Sequence, residues 1–264
     1  MSSIASIPAV TYAIGDIHGR FDLLTLLLDQ ILGHRRQVQG TAKLILLGDY
    51  VDRGPKKGQR DVIRLLRSGK LQQDFDEVIL LKGNHDATLI EAIEGFQEGL
   101  RCEIPLPRLR NQYGNVERVF EIKRIELKQF LKGLPLYHSD GVRLFTHAGL
   151  AAGDAIETLS EKDLLWYRGP VQDKLGRFVV HGHTPVVREP EVTEYAANID
   201  TGAYATDQLT CAIFLGKSRQ PIFLSTPFDL KKTDLFEREL KVEKLERVSD
   251  VDARTSNEDS KIIT

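Results

Sequence analysis

Three stretches of the sequence set glycines beside groups that can hold metals, move protons or grip anions. They are Gly15-Asp16-Ile17-His18-Gly19, Gly48-Asp49-Tyr50-Val51-Asp52-Arg53-Gly54 and Gly83-Asn84-His85-Asp86. Two more follow, His147-Ala148-Gly149 and His181-Gly182-His183-Thr184, so five of the seven histidines fall in such stretches. Asp, Asn and His together form a mixed oxygen and nitrogen donor set. That set suits divalent Mn, Fe, Zn or Co better than Ca, which prefers oxygen alone. There are donors enough for two ions sharing one carboxylate, an arrangement that clamps both oxygens of an in-line phosphoryl displacement.

The elements that must position these groups are short apolar runs. "AVTYAI" (9–14), "KLILL" (43–47) and "EVILL" (77–81) read as strands, each ending where a polar stretch begins. Between and after them, helical patterns are read at 21–32, 58–68 and 87–96. From Asp16 to Asp49 is 33 residues and from Asp49 to Asn84 is 35, and each interval fits one strand–helix–strand crossover. Parallel strands joined in this way bring their carboxyl ends side by side, where open α/β sheets bind ligands. Continuously apolar strands imply a sheet covered on both faces. The second half is richer in strands, at 142–146, 177–180, 195–199, 209–215 and 221–225, with a helix before them at 124–132. Residues 97–120, with Arg101, Arg108, Arg110 and Arg118, read as an irregular excursion that either lines the substrate rim or is simply solvated.

These motifs together, GDIHG, GDYVDRG, GNHD, HAG and HGHTP in that order over about residues 10–215, resemble the phosphoprotein phosphatase family of calcineurin-like metallophosphoesterases, in its bacterial branch. "IDTGAY" (199–204) matches the bacterial members too. The resemblance implies an α/β fold, the calcineurin-like metallophosphoesterase sandwich of two mixed β-sheets flanked by helices. It implies a cofactor of two divalent metal ions, with Mn expected and Fe, Zn or Co compatible. By motif match, Asp16 and His18 hold the first ion, Asp49 bridges, and Asn84, His147 and His183 complete the second. A hydroxide bridging the ions attacks phosphorus directly. His85 is the general acid, Asp52 orients it, and Arg53 and Arg168 bind phosphate oxygens.

On this resemblance the expected activity is that of a serine/threonine protein phosphatase, with phosphotyrosine not excluded and a phosphoprotein or phosphopeptide as the partner. The alternative is a diadenosine polyphosphate hydrolase of the symmetrical type. In such enzymes the Asp of the DRG motif is typically Ala, so Asp52 argues against that alternative. Asp86, where protein phosphatases usually carry Glu, leaves it open. A scaffold that has lost its chemistry would lack ligands, and none is missing.

Other residues carry blander readings. Alone, Asp52 and Arg53 would be a surface ion pair in a Gly–Pro turn, and it is the motif series that lifts them above that. His181 is read as support for neighbouring ligands, Asp200 as a brace in a turn and Tyr204 as a flank to the phosphate. His34 and His138 are read as solvated, Trp166 as packed at the core edge, and Cys211 as a small core residue.

The bulk numbers narrow the classes. The chain has 264 residues and a formal net charge of −2, without the basic excess of a general nucleic-acid binder. No apolar run is long enough for a membrane helix, and the first residues lack a basic, then apolar, leader pattern. The two cysteines are far apart and in no ligand pattern, so a reducing cytoplasm is the expected compartment. Residues 1–228 read as the catalytic domain. Residues 229–264 read as a charged extension, partly helical and then disordered from 249 onward.

Overall fold

The computed structural model describes residues 9–98, 116–151 and 155–240. The first half runs β1 (Val10–Ile14), α1 (Phe21–Arg35), β2 (Ala42–Leu46), α2 (Lys56–Arg67), α3 (Leu71–Asp74), β3 (Glu77–Leu80) and α4 (Asn84–Glu98). Next come α5 (Val116–Phe120), α6 (Arg124–Lys132), β4 (Tyr137–Ser139), β5 (Arg143–Thr146), α7 (Glu161–Trp166), β6 (Phe178–His181), β7 (Glu191–Val192) and β8 (Ala196–Asn198). The chain continues through α8 (Ala203–Thr206), β9 (Thr210–Leu215) and β10 (Ile222–Ser225) to a final helix, α9, over residues 230–240.

The strands form two five-stranded mixed sheets, ordered β10-β9-β1-β2-β3 and β4-β5-β6-β8-β7. β1, β2 and β3 are parallel neighbours, and β9 runs antiparallel to β1. In the second sheet β5, β6 and β8 are parallel.

The period-two alternation of strand side chains explains why β1 and β2 are buried throughout and, apart from Thr11 and Lys43, apolar on both faces. Tyr12, Ile14, Leu44 and Leu46 face the helices and pack with Leu24, Leu27 and Val62. Ala13, Ile45 and Leu47 face the other sheet and meet its Phe145, Val180 and Ala197, with Phe214 of the neighbouring β9 in the same layer. Ile45 is fully buried in this inter-sheet layer, and truncation to Ala would cost roughly 2–5 kcal/mol. This is the two-sheet sandwich the motifs implied.

Several expectations are corrected. β3 is partly exposed rather than covered on both faces, because it is the edge strand of its sheet. Helix α4 begins at Asn84, not 87, so the third motif forms its first turn. Strands β4 and β7 and helices α7 and α8 were not anticipated, being too short for a period to register. His34 and His138 are half-buried, not solvated: His34 Nδ1 is 2.8 Å from the Tyr12 hydroxyl and His138 Nε2 is 3.0 Å from Lys43 Nζ. Trp166 is 46% exposed, not packed into the core edge. The expected excursion overlaps α5, which includes Arg118, whereas Arg101, Arg108 and Arg110 lie outside the described residues, as does the expected disordered end. Among the described residues no helix is long and apolar enough to cross a membrane.

Candidate active site

The carboxyl ends of β1, β2, β3, β5 and β6 converge where the two sheets meet, and they carry the predicted residues together. Two groups of donor atoms form there, His18 with Asp49 and His85, and Asp16 with Asp49 and His147, each within 4.8 Å. Asp49 belongs to both. Its Oδ2 lies 3.4 Å from His18 Nε2 and its Oδ1 3.5 Å from His147 Nε2. Asn84 joins the second group, its Oδ1 lying 2.8 Å from His147 Nε2 and 3.0 Å from His183 Nδ1. His183 is tied to Asp16 by its backbone N–H, which donates to the Asp16 carboxylate.

The backbone is bent to make this possible. His18, Asp49, Asp52, Arg53 and His183 all have positive φ, between 47° and 71°. Non-glycine residues held there cost about 1–3 kcal/mol each, a cost that persists only where surrounding structure over-determines the conformation. Gly83 and Gly182 are required for a different reason. A Cβ on Gly83 would collide with Asp49 Oδ1, and one on Gly182 with Asp16 Oδ1. The peptide passes directly against each carboxylate.

The electrostatics fit metal binding. Asp16, Asp49, Asp86 and Asp200 are all buried. Burial, then the charges of Asp200 and Asp49, raise the Asp16 pKa well above its usual range. Burial also lowers the pKa of His18 to about 4 and of His183 to about 2, and lowers that of His147. These are neutral imidazoles at physiological pH, the form that ligates metals. His147 Nδ1 donates to the Leu47 carbonyl at 3.0 Å and His18 Nδ1 to the Val51 carbonyl at 3.1 Å. Each Nε2 therefore carries its lone pair toward carboxylate or amide oxygen. Electron pairs converging in a buried space are what a cation between them relieves. The Nε2 of His183 is buried without a hydrogen-bond partner. The residues present therefore fit divalent metal binding.

His85 sits apart from the deepest donors, 19% exposed at its side chain. Its Nδ1 is 2.6 Å from Asp52 Oδ2. Burial alone would lower its pKa, but the Asp49 charge and the Asp52 hydrogen bond outweigh burial and leave it raised. Arg53 and Arg168 line the same hollow as Asp49 and His85, about 280 Å³ in volume. The Arg53 guanidinium lies over the Tyr204 ring at 4.7 Å, and Tyr204 also stands edge-on to His18. Arg168 Nη1 is within 3.4 Å of Thr184 Oγ1.

Asp200 braces its turn by accepting from Gly202 N–H at 3.0 Å. His181 does not reach the donor groups; its Nδ1 faces the Gly182 carbonyl at 3.2 Å and it lines a neighbouring hollow.

Asp86, which stands where protein phosphatases usually carry Glu, fastens the site. Its carboxylate accepts from the backbone N–H groups of Asp49, Tyr50 and Gly83 at 2.9–3.1 Å, joining two motif loops. Burial and the Asp49 charge push its pKa up to about 8. The only sequence signal was an acid placed one residue after His85. Helix α9 lies in the extension read as partly helical, but no sequence signal pointed to its part in the site: Phe236 packs on Tyr204 at 5.6 Å and, with Glu239 and Leu240, walls the hollow.

A family model described as calcineurin-like phosphoesterase matches residues 10–213. The chain is 30% identical to the asymmetrical bis(5'-nucleosyl)-tetraphosphatase PrpE of Bacillus subtilis, over 82% of this chain and 95% of that one. It is 28% identical to the PrpE of Halalkalibacterium halodurans, over 76% and 88%. It is 34% identical to the symmetrical bis(5'-nucleosyl)-tetraphosphatase of Neisseria meningitidis, over 53% of this chain and 43% of that one; the match thus spans less than half of the symmetrical enzyme. Among solved structures, the cold-active protein-tyrosine phosphatase of a Shewanella species superposes with a TM-score of 0.55 at 16% identity, covering 85% of each chain, a likeness of fold.

The phosphoprotein or phosphopeptide partner expected from the motifs is corrected by these relatives, which are named for dinucleoside tetraphosphates. The motifs describe the phosphoryl-transfer centre, which the two substrate classes share, and say nothing of what surrounds the phosphate.

Proposed function

The chain belongs to the calcineurin-like phosphoesterase family, and from that premise we propose that it is a metal-dependent dinucleoside tetraphosphate hydrolase that cleaves asymmetrically. The observation that carries the substrate class is the near full-length match to the two asymmetrical enzymes, against less than half the length of the symmetrical one. The presence of Asp52 agrees, since the symmetrical type typically replaces it.

Asp16, His18, Asp49, Asn84, His147 and His183 would hold two divalent ions, with Mn²⁺ the proposed occupant for this oxygen and nitrogen set. Bound there, the ions would act as Lewis acids on the phosphate and make a water more acidic. Arg53 and Arg168 bind phosphate oxygens through planar forks, and Tyr204 keeps the Arg53 fork over the hollow. Water oxygen bonds to the phosphorus nearest one nucleoside as the bridging P–O bond beyond it breaks, and the proton the water sheds passes to solvent. The products are a nucleoside monophosphate and a nucleoside triphosphate. His85, protonated through its pairing with Asp52, gives its Nε2 proton to the departing phosphate oxygen.

The test is product analysis. Chelator-stripped protein reloaded with Mn²⁺ is incubated with diadenosine tetraphosphate. Equal amounts of ATP and AMP are expected. ADP as the sole product would overturn the asymmetry, and an uncleaved dinucleotide would overturn the substrate class.

A further inference from the structure

Arg168 borders two hollows. One is the catalytic hollow described above. The other, of about 440 Å³, is lined by Tyr167, His181, Tyr195, Ala196 and Asn198, and it shares Arg168 and Thr184 with the first. Its volume falls in the range of small-molecule sites.

Local sequence explains the space. Ala148, Gly169 and Ala196 contribute almost no side-chain volume, and the sheet edge beside β8 is only the two-residue β7. Tyr167 is braced across the tight turn by its hydroxyl, which donates to the Pro170 carbonyl at 2.9 Å. Tyr195 is 43% exposed at the rim. The floor is fixed rather than soft: Asn198 Nδ2 donates to the Thr184 carbonyl at 2.7 Å, and its Oδ1 accepts from Asp200 N–H at 3.1 Å. Nothing in the chemistry derived so far uses this hollow.

We propose that it is the subsite for one nucleoside of the substrate, its base packed against Tyr195 and Tyr167 and its phosphate chain passing over Arg168 into the catalytic hollow. This inference rests on the dinucleotide reading above. A dinucleoside polyphosphate carries a flat aromatic group at the end of an anionic chain. It calls for an aromatic hollow joined to a cationic one, with a cation at the junction. Tyrosine suits the base because its ring accepts any π-face, and a guanidinium suits the phosphate. Glu191, at the edge of the same hollow, offers a carboxylate to the ribose hydroxyls.

The experiment compares the Mn²⁺-loaded protein with Tyr195→Ala and Tyr195→Phe on diadenosine tetraphosphate and on p-nitrophenyl phosphate, which has no nucleoside. The ratio of kcat/KM for the dinucleotide to that for p-nitrophenyl phosphate should fall about 10-fold in Tyr195→Ala, chiefly through KM, and recover in Tyr195→Phe. A ratio within about twofold of the parent in Tyr195→Ala overturns the subsite, since loss of a stacking ring should cost more. Thermal melts of each variant report whether the fold is intact.

A second arm does not depend on turnover: calorimetric titration with AMP. Binding that weakens in Tyr195→Ala and returns in Tyr195→Phe supports the subsite. If the parent binds AMP in this way yet leaves the dinucleotide uncleaved, the reading of the reaction fails and the subsite stands. If the parent neither binds AMP nor cleaves the dinucleotide, both fail.

Discussion

The carboxylate of Asp52 lies 2.6 Å from Nδ1 of His85, and that contact points the other nitrogen of the ring into the catalytic hollow. The pairing has a direct kinetic consequence. His85→Asn should lower kcat by about 10²- to 10⁴-fold on alkyl phosphates, whose leaving group needs a proton. The loss should shrink for p-nitrophenyl phosphate, which departs as a stabilised anion. Asp52→Asn should follow the same order with a smaller loss. Rates across a series of leaving groups check this, and an equal loss on all of them would argue against a general acid.

The single tryptophan of the chain is a ready reporter. Trp166 stands edge-on to His183 with ring centroids 6.1 Å apart. Paramagnetic Mn²⁺ or Co²⁺ should therefore quench its emission with a saturable dependence, and Zn²⁺ should do so less. Asp49→Asn should shift the Mn²⁺ titration to much higher concentration. Emission unchanged by any of these ions would count against a metal at His183.

Asp86 should behave as a support whose loss is felt at the metals. Asp86→Asn turns one acceptor oxygen into an amide donor facing backbone N–H groups. The expected result is a 10- to 100-fold loss of metal affinity, the usual scale for partners that orient ligands. The Trp166 titration reads it directly. Asp86→Ala should lose at least as much, together with thermal stability, because three buried N–H donors are left unpaired.

Far from the site, Asp173 and Arg177 form a buried fork, with Asp173 Oδ1 2.8 Å from Arg177 Nη2 and side-chain exposures of 1% and 11%. Burial opposes the Asp173 charge, but the hydrogen bonds from Arg177 outweigh it and hold the carboxyl below its usual pKa. Asp173→Asn should cost about 3 kcal/mol near neutral pH, since it strands a largely buried guanidinium. A carboxyl with a depressed folded pKa contributes fully above its unfolded value near 4, and its contribution is lost as pH falls through the folded pKa. The two proteins should therefore differ in denaturant midpoint at pH 7 and converge as acidification protonates the Asp173 carboxyl in the folded protein. A gap that persists at low pH would point to packing instead of charge.

How much of this could be read from the chain follows from how far each interaction reaches. The donors at the ends of β1, β2 and β3 were legible because glycine, carboxylate and histidine follow apolar runs at intervals of 33 and 35 residues. Strand alternation and crossover length are local properties, and they compel those ends to meet. The sequence by itself thus determined the sheet that carries Asp16, Asp49 and Asn84, and the class of chemistry such donors support.

Tertiary structure decided the rest, because the deciding contacts join segments with no shared local pattern. Asp86 fastens the loop at Asp49 across 37 residues, through backbone donors that any sequence would present. Tyr195 and Arg168 share a hollow only because the loop after α7 folds beside β8. Phe236 lies beyond the matched family region and reaches Tyr204 only through the return of α9. A phosphoryl-transfer centre needs few residues at fixed spacing, so it leaves a motif. The walls that choose what the phosphate is attached to are assembled from distant small and aromatic side chains, and their spacing along the chain is unconstrained.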